Sequence, residues 1–392
     1  MLVAAIAHSE DPHAGAAMQE ILQSCEEQLN GRHPQAGFFF AALDFDHKTC
    51  IEKIHEKYPD IQLIGCTTDG EASSHRGYQE DSACLMLIAS DKIEVSACVA
   101  RNVSENPKMA IQQAFSSLAE ERAAANKTSP LQFAIATPES MTTSADAVLK
   151  IIVEQMEKPI PVFGGTAADQ WKFDKTHQFF GREILQDSVP LLFFAGDIKF
   201  SHSVKLGWTP IGKPSTTTKV DGHVLHEIDG DSALSYYQFF LGEHLRPSGE
   251  FPLAVHIGSN DPPQFCLRAP LSYDVQTGTI DFAGDIPTGA TVQLTQTSRS
   301  AILDASKESV KEALEHFPGG KPDVALFFSC AARKQVLGTR TAEECEILRD
   351  VLGESTPFIG FYAYGEIGPL VSDGQSQFHN ESFVTLLIGE SG

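Results

Sequence analysis

Short apolar runs recur along this chain, each followed by an amphipathic stretch or by a glycine turn, and that rhythm sets the expected architecture. Residues 38–43 read as a buried strand, 49–58 as a helix, and 83–88 as a further strand. The series returns at 133–136, 145–156 and 189–195, and again at 324–328, 341–352 and 383–388. Continuous apolar strands alternating with helices predict an α/β fold with largely buried sheets. The chain thus reads as mixed sheets with flanking helices, built from internal strand-helix-strand-strand pseudo-repeats.

The turns repeat as well as the strands. Ile64-Gly65-Cys66-Thr67-Thr68-Asp69-Gly70-Glu71 is answered by Ile359-Gly360-Phe361-Tyr362-Ala363-Tyr364-Gly365-Glu366. A weaker copy reads Phe163-Gly164-Gly165-Thr166-Ala167-Ala168-Asp169. Each has an apolar run, a glycine, small polar residues and a carboxylate. Glycine lets backbone come close without a Cβ clash. Equivalent loops on one scaffold are where binding residues tend to sit. Cys66, Thr67, Thr166, Tyr364 and Glu366 are therefore expected to line a cleft between the halves, with Glu71 as a further ligand-binding residue.

Other elements complete the outline. Asp11-Pro12 opens a helix to about Leu29, Pro107 one to about Asn126, and residues 300–317 form a third. Residues 198–228 and 251–297 are strand-rich, so the second half carries a β-rich segment. Asp221-Gly222 signals a hairpin, and Asp261-Pro262-Pro263 a break. Asp229-Gly230-Asp231-Ser232 caps a helix to about His244. The division is placed near residue 200, giving domains 1–200 and 201–392.

Composition narrows the function. A length of 392 residues exceeds one core, and no apolar run approaches the roughly 20 residues of a membrane span. Residues 2–7 are too short and lack the basic start of a signal peptide, so a cytoplasmic location is expected. A net charge of −23 argues against a nucleic-acid surface, which needs clustered Lys and Arg.

Candidate chemistry is sparse. There is no P-loop, no Gly-x-Ser-x-Gly elbow and no His-x-x-x-His helix, and no enzyme is expected. The eight cysteines show no metal spacing. Cys66 lies at a repeated turn. Cys330 precedes Ala331-Ala332-Arg333-Lys334, whose charge could lower its pKa. For both, small residues filling tight turns is the preferred reading over a reactive thiol. Glu71 and Glu366 could pair for acid–base work, bind a cation, or hold turn amides. Among 14 histidines, alternation puts His202 on the face of Phe200, Val204 and Leu206, and His226 with Val224 and Ile228. His256 lies in an apolar run. An imidazole among apolar side chains is what a haem pocket offers iron; it is also an ordinary core residue.

Taken in order, the three turn motifs, Gly207-Trp-Thr-Pro-Ile-Gly212, Glu227-Ile-Asp-Gly230 and His379-Asn-Glu-Ser382 resemble FIST proteins over nearly the whole chain. The resemblance implies paired amino- and carboxy-terminal FIST domains acting as sensory input for small ligands, amino acids among them. Stand-alone bacterial members include nitric-oxide-sensing haem proteins of the NosP type, which act on a partner histidine kinase. It thereby implies a haem b and nitric oxide as signal; no family motif fixes the iron ligand, and the alternation around His202 makes it the expected one, with His226 as reserve. The alternative is a haem-free module that holds a small amine or amino acid through Glu71 and Glu366.

Overall fold

Three parallel strand pairs organise the molecule: Ala36–Ala41 with Gln62–Thr67, Leu131–Ala136 with Val162–Gly165, and Val324–Cys330 with Phe358–Ala363. They belong to a computed structural model that describes residues 2–258, 264–371 and 374–391. The expected break at Asp261-Pro262-Pro263 lies outside the described residues. A helix crosses over within each pair, at His47–Lys57, Ala145–Gln155 or Ala342–Leu352, as parallel pairing requires. Asp46 and Ser144 cap the first two by accepting from Thr49 N and Ala147 N.

Two antiparallel strands flank each pair on one side: Ala83–Ala89 and Val3–Ser9, Ser188–Gly196 and Ile93–Arg101, Phe383–Glu390 and Ile198–Lys205. On the other side each pair takes a hairpin from another unit. Gln178–Phe180 joins the first sheet, Glu366–Pro369 the second and Glu71–Ser73 the third. Three six-stranded sheets therefore exchange hairpins in a closed ring.

The register explains the repeated motif. Gly65, Gly164 and Gly360 stand opposite Phe39, Ala136 and Phe327 in the parallel pairs. A Cβ at any of the three would run into the opposing carbonyl oxygen. The residue after each glycine pairs with the first residue of the donated hairpin: Cys66 with Gln178, Gly165 with Glu366, Phe361 with Glu71. The carboxylate of the first and last copies thus takes the first hairpin position. Gln178 fills the third position, and Asp169 lies in the loop before it.

The inner faces of the three sheets meet in one core that holds Phe38, Phe40, Phe133, Phe163, Phe194, Phe328 and Phe361. Each such ring contributes roughly 1.5–3 kcal/mol by burial. The helices cover the outer faces in separate clusters. The third unit is interrupted after Ile198–Lys205 by an eight-stranded antiparallel sheet, with its own core around Tyr237 and Phe282. The hairpin at Asp221-Gly222 forms there, with Gly222 at φ +59°. The helix after Ser232 spans Ala233–Leu241, shorter than expected, because Gly242 takes φ +83°. A short helix, Ala331–Leu337, follows Cys330 directly.

Candidate functional site

A cleft of about 360 Å³ opens where the second unit, the third unit and the inserted sheet meet. That volume is at the small end of ligand pockets. Its aromatic wall is Trp171, Phe173 and Tyr364. Phe173 stacks on Tyr364 with ring centres 5.0 Å apart, and Trp171 meets Phe173 edge-on at 5.6 Å. The loop carrying Trp171 and Phe173 has three non-glycine residues in the left-handed region, Gln170, Trp171 and Phe173. Such backbone costs on the order of 1–3 kcal/mol per residue and persists only when its surroundings enforce it. Buried Asp169 does so: its carboxylate accepts from the N–H groups of Phe173, Asp174 and Lys175 at 2.8–3.2 Å. Tyr364 completes the lock, donating its hydroxyl to Asp169 and accepting from Trp171 N, both at 2.6 Å. Trp171 Nε1 donates to Asp69 at 2.9 Å.

The second wall is the loop 140–145. Glu139 accepts from Met141 N, Thr142 N and Thr143 N at 2.7–2.9 Å, so these amides are already engaged. The third wall is Leu271 and Phe282 to Asp285 of the inserted sheet, with His223 at its edge. An ion pair pins it to the second unit: Arg268 donates to Asp146 at 2.9 Å. A Cβ at Gly284 would lie 2.9 Å from both Arg268 Nε and Asp146 Oδ2, so glycine is needed to seat that pair. Thr166, Cys330 and Asn380 form the floor.

Of the residues singled out in the sequence, Thr166 and Tyr364 line the cleft. Cys66 lies instead in the central core, and burial pushes its thiol well above the ordinary range. Thr67 is buried and accepts from His177 N at 3.1 Å. Glu71 accepts from Thr68 and Ser82 hydroxyls, and burial raises it to about 7. Glu366 accepts from Ser382 N and Oγ at 3.1 and 2.9 Å, and burial raises it to about 8. After burial itself, Glu366 helps raise the pKa of Glu381. Glu71 and Glu366 therefore secure the donated hairpins.

At Cys330 the structure agrees with the plainer reading, a small buried residue, and not with a lowered pKa. Burial and the neighbouring Glu366 and Glu381 push its thiol well up, not down. The positive charges beside it in sequence are engaged elsewhere: Arg333 pairs with Glu344 at 2.8 Å, and Lys334 with Glu80 at 3.0 Å and Asp69 at 3.3 Å. Trp171, Phe173, Ser140, Thr143, Asp285 and Asn380 were not legible as site residues. The available signal was Trp171 itself, a large aromatic in a polar loop just after the third turn motif.

His202 and His226 lie apart from the cleft. His202 faces the central core, its ring 5.0 Å from that of Phe163. Phe133 and Phe163 pack against the adjacent Phe200 at 4.8 and 6.1 Å. A haem on His202 would have to displace Phe163, so the residues as placed do not fit that group. His226 is half-buried on the strand Val224–Ile228 of the inserted sheet. Among the described residues no cluster of three or more His, Cys, Asp or Glu is arranged for a metal ion.

Fold and site together define an α/β protein with a cleft between its repeated units and an inserted sheet. The chain belongs to the FIST family: the FIST N domain matches residues 35–231 and the FIST C domain residues 233–369. FIST domains are associated with sensory signal transduction. An uncharacterized protein of Mycobacterium tuberculosis is 28% identical over 244 residues, covering 58% of this chain and 62% of its own. One from Methanocaldococcus jannaschii is 26% identical over 227 residues, covering 55% and 42%. The chain thus spans about 62% of the length of the first of these relatives. Cyanuric acid hydrolase from A. caulinodans aligns over 100% of this chain and 99% of its own, with a TM-score of 0.41 at 9% identity. A chorismatase aligns over 99% of each chain with a TM-score of 0.31 at 8% identity. Both scores are too low to bear on activity. Among the described residues no helix is long and apolar enough to cross a membrane.

Proposed function

We propose that this protein is a sensory ligand-binding protein, not an enzyme, and that its ligand occupies the cleft between the second unit, the third unit and the inserted sheet. The observation that carries this reading is Thr166. It is buried, lines the floor, and its hydroxyl has no hydrogen-bond partner among the described residues. A buried hydroxyl without a partner is costly, and a ligand atom would satisfy it. The protonated state favoured at Cys330 supports binding over nucleophilic chemistry. Because three segments build the walls, an occupant draws the inserted sheet and the aromatic loop together. A ligand that prefers this arrangement shifts its population, and the altered surface is what a signalling partner such as a histidine kinase would read.

The haem and nitric-oxide reading makes the opposite spectroscopic prediction. Protein purified after haem-replete expression is expected to show no stoichiometric Soret band. A Soret band that shifts with nitric oxide and disappears in His202→Ala would contradict the cleft reading and install haem instead.

A further inference from the structure

The cleft carries enough chemistry to select among ligands. Its mouth is apolar: Met141, Phe173 and Leu271 line it and are 37%, 49% and 56% exposed. Single exposed apolar side chains are ordinary, but three from separate segments around one cavity mark a hydrophobic binding site. Its depth is polar and unsatisfied. Besides Thr166, the buried hydroxyls of Ser140 and Thr143 lack partners among the described residues.

Its charge is one-sided. Among the described residues, no Lys or Arg lines the cleft. Arg268, behind the third wall, is spent on Asp146 and on the carbonyl oxygens of Leu267, Phe378 and Asp285. Lys334 is spent on Asp69 and Glu80. Asp285 does line the cleft. Its Oδ2 accepts from Ser144 Oγ at 3.1 Å, and its Oδ1 makes no hydrogen bond among the described residues. Trp171 and Phe173 line the cleft as well, and aromatic rings attract a cation placed over their faces.

We infer that the ligand is a small ring-bearing amine, bound as its cation, with the ring against Phe173 and Leu271 and the ammonium directed to Asp285. This rests on the cleft being the sensory site. An anionic group would meet Asp285 and no Lys or Arg in the cleft, and would lose its hydration with little return. A carboxylate or phosphate ligand is accordingly disfavoured, and a zwitterion gains at one end what it loses at the other.

The test is calorimetric titration of the whole chain with three probes of one shape: 2-phenylethylamine, 2-phenylethanol and 3-phenylpropionate. The amine is expected to bind at least about tenfold tighter than the alcohol, with the carboxylate weakest; tenfold corresponds to about 1.4 kcal/mol. Asp285→Asn should erase the amine's advantage and leave the alcohol's affinity unchanged. Equal binding of amine and alcohol, a preference for the carboxylate, no binding of the amine, or an amine preference that survives Asp285→Asn would each overturn the inference. The underlying reading fails separately. If other small molecules stabilise the protein and Trp171→Ala abolishes the effect, the cleft stands and only the amine assignment falls. If Trp171→Ala leaves every such effect in place, both fall.

Discussion

Glu366 shows how a single buried carboxyl group ties fold to pH. It lies at the first position of a donated hairpin, with Ser382 as its donor and Glu381 as an uncomfortable neighbour. Burial first of all raises it to about 8, against an ordinary 4.5. An acid whose folded pKa is raised binds its proton more tightly when folded. Its neutral form costs nothing below about 4.5, and stability falls as pH rises from there through about 8. Glu71, raised to about 7, acts in the same direction. His8, lowered to about 3, and His379, lowered to about 4, act oppositely: the stability from keeping them neutral is full above 6.5 and is lost as pH falls through their folded values. Chemical denaturation of wild type should therefore show stability declining from pH 6 to 9. Glu366→Gln keeps an acceptor for Ser382 without a charge to bury, so its decline should be shallower and it should exceed wild type at pH 9. Parallel curves would show that Glu366 is not the titrating group.

At the scale of elements, what proved legible was whatever depends on local sequence spacing. The strand-helix-strand-strand series was visible because buried strands read as unbroken apolar runs and the turn glycines are fixed by opposing carbonyls. The exchange of hairpins was not visible, since Glu71 pairs with Phe361 far along the chain and nothing local encodes that distance. The same limit hid the cleft. Thr166 and Tyr364 were found through the repeat, whereas Leu271 and Asp285 enter from an inserted sheet with no share in it. Cys66 and Thr67 were drawn in as repeat positions, but they sit where sheets face the core or take a hairpin. The glycine rule gives a direct comparison. At Gly164, with φ +149° and the carbonyl of Ala136 in the way, alanine should cost more than about 4 kcal/mol. At Gly181, with φ +53° and open space around it, alanine should cost only about 1–2 kcal/mol. Urea midpoints of the two variants check this, and equal losses would mean that close approach is not what the glycines serve.

For the whole molecule, three sheets share a core and exchange edges, and the inserted sheet is set against them. Its hydrogen bonds to the second unit include Arg268 to Asp146, Asp285 N to Asp146 and Ser144 to Asp285, beside the cleft. A ligand between them is therefore placed to couple occupancy to the position of the insert, as the proposed sensory function requires. The most direct test is a thermal-shift screen of small molecules against wild type and Trp171→Ala in parallel. Compounds that stabilise wild type are expected to lose their effect in the variant, because mass-action stabilisation requires the site. Stabilisation that is undiminished in Trp171→Ala would show that the ligand binds elsewhere and would contradict the account.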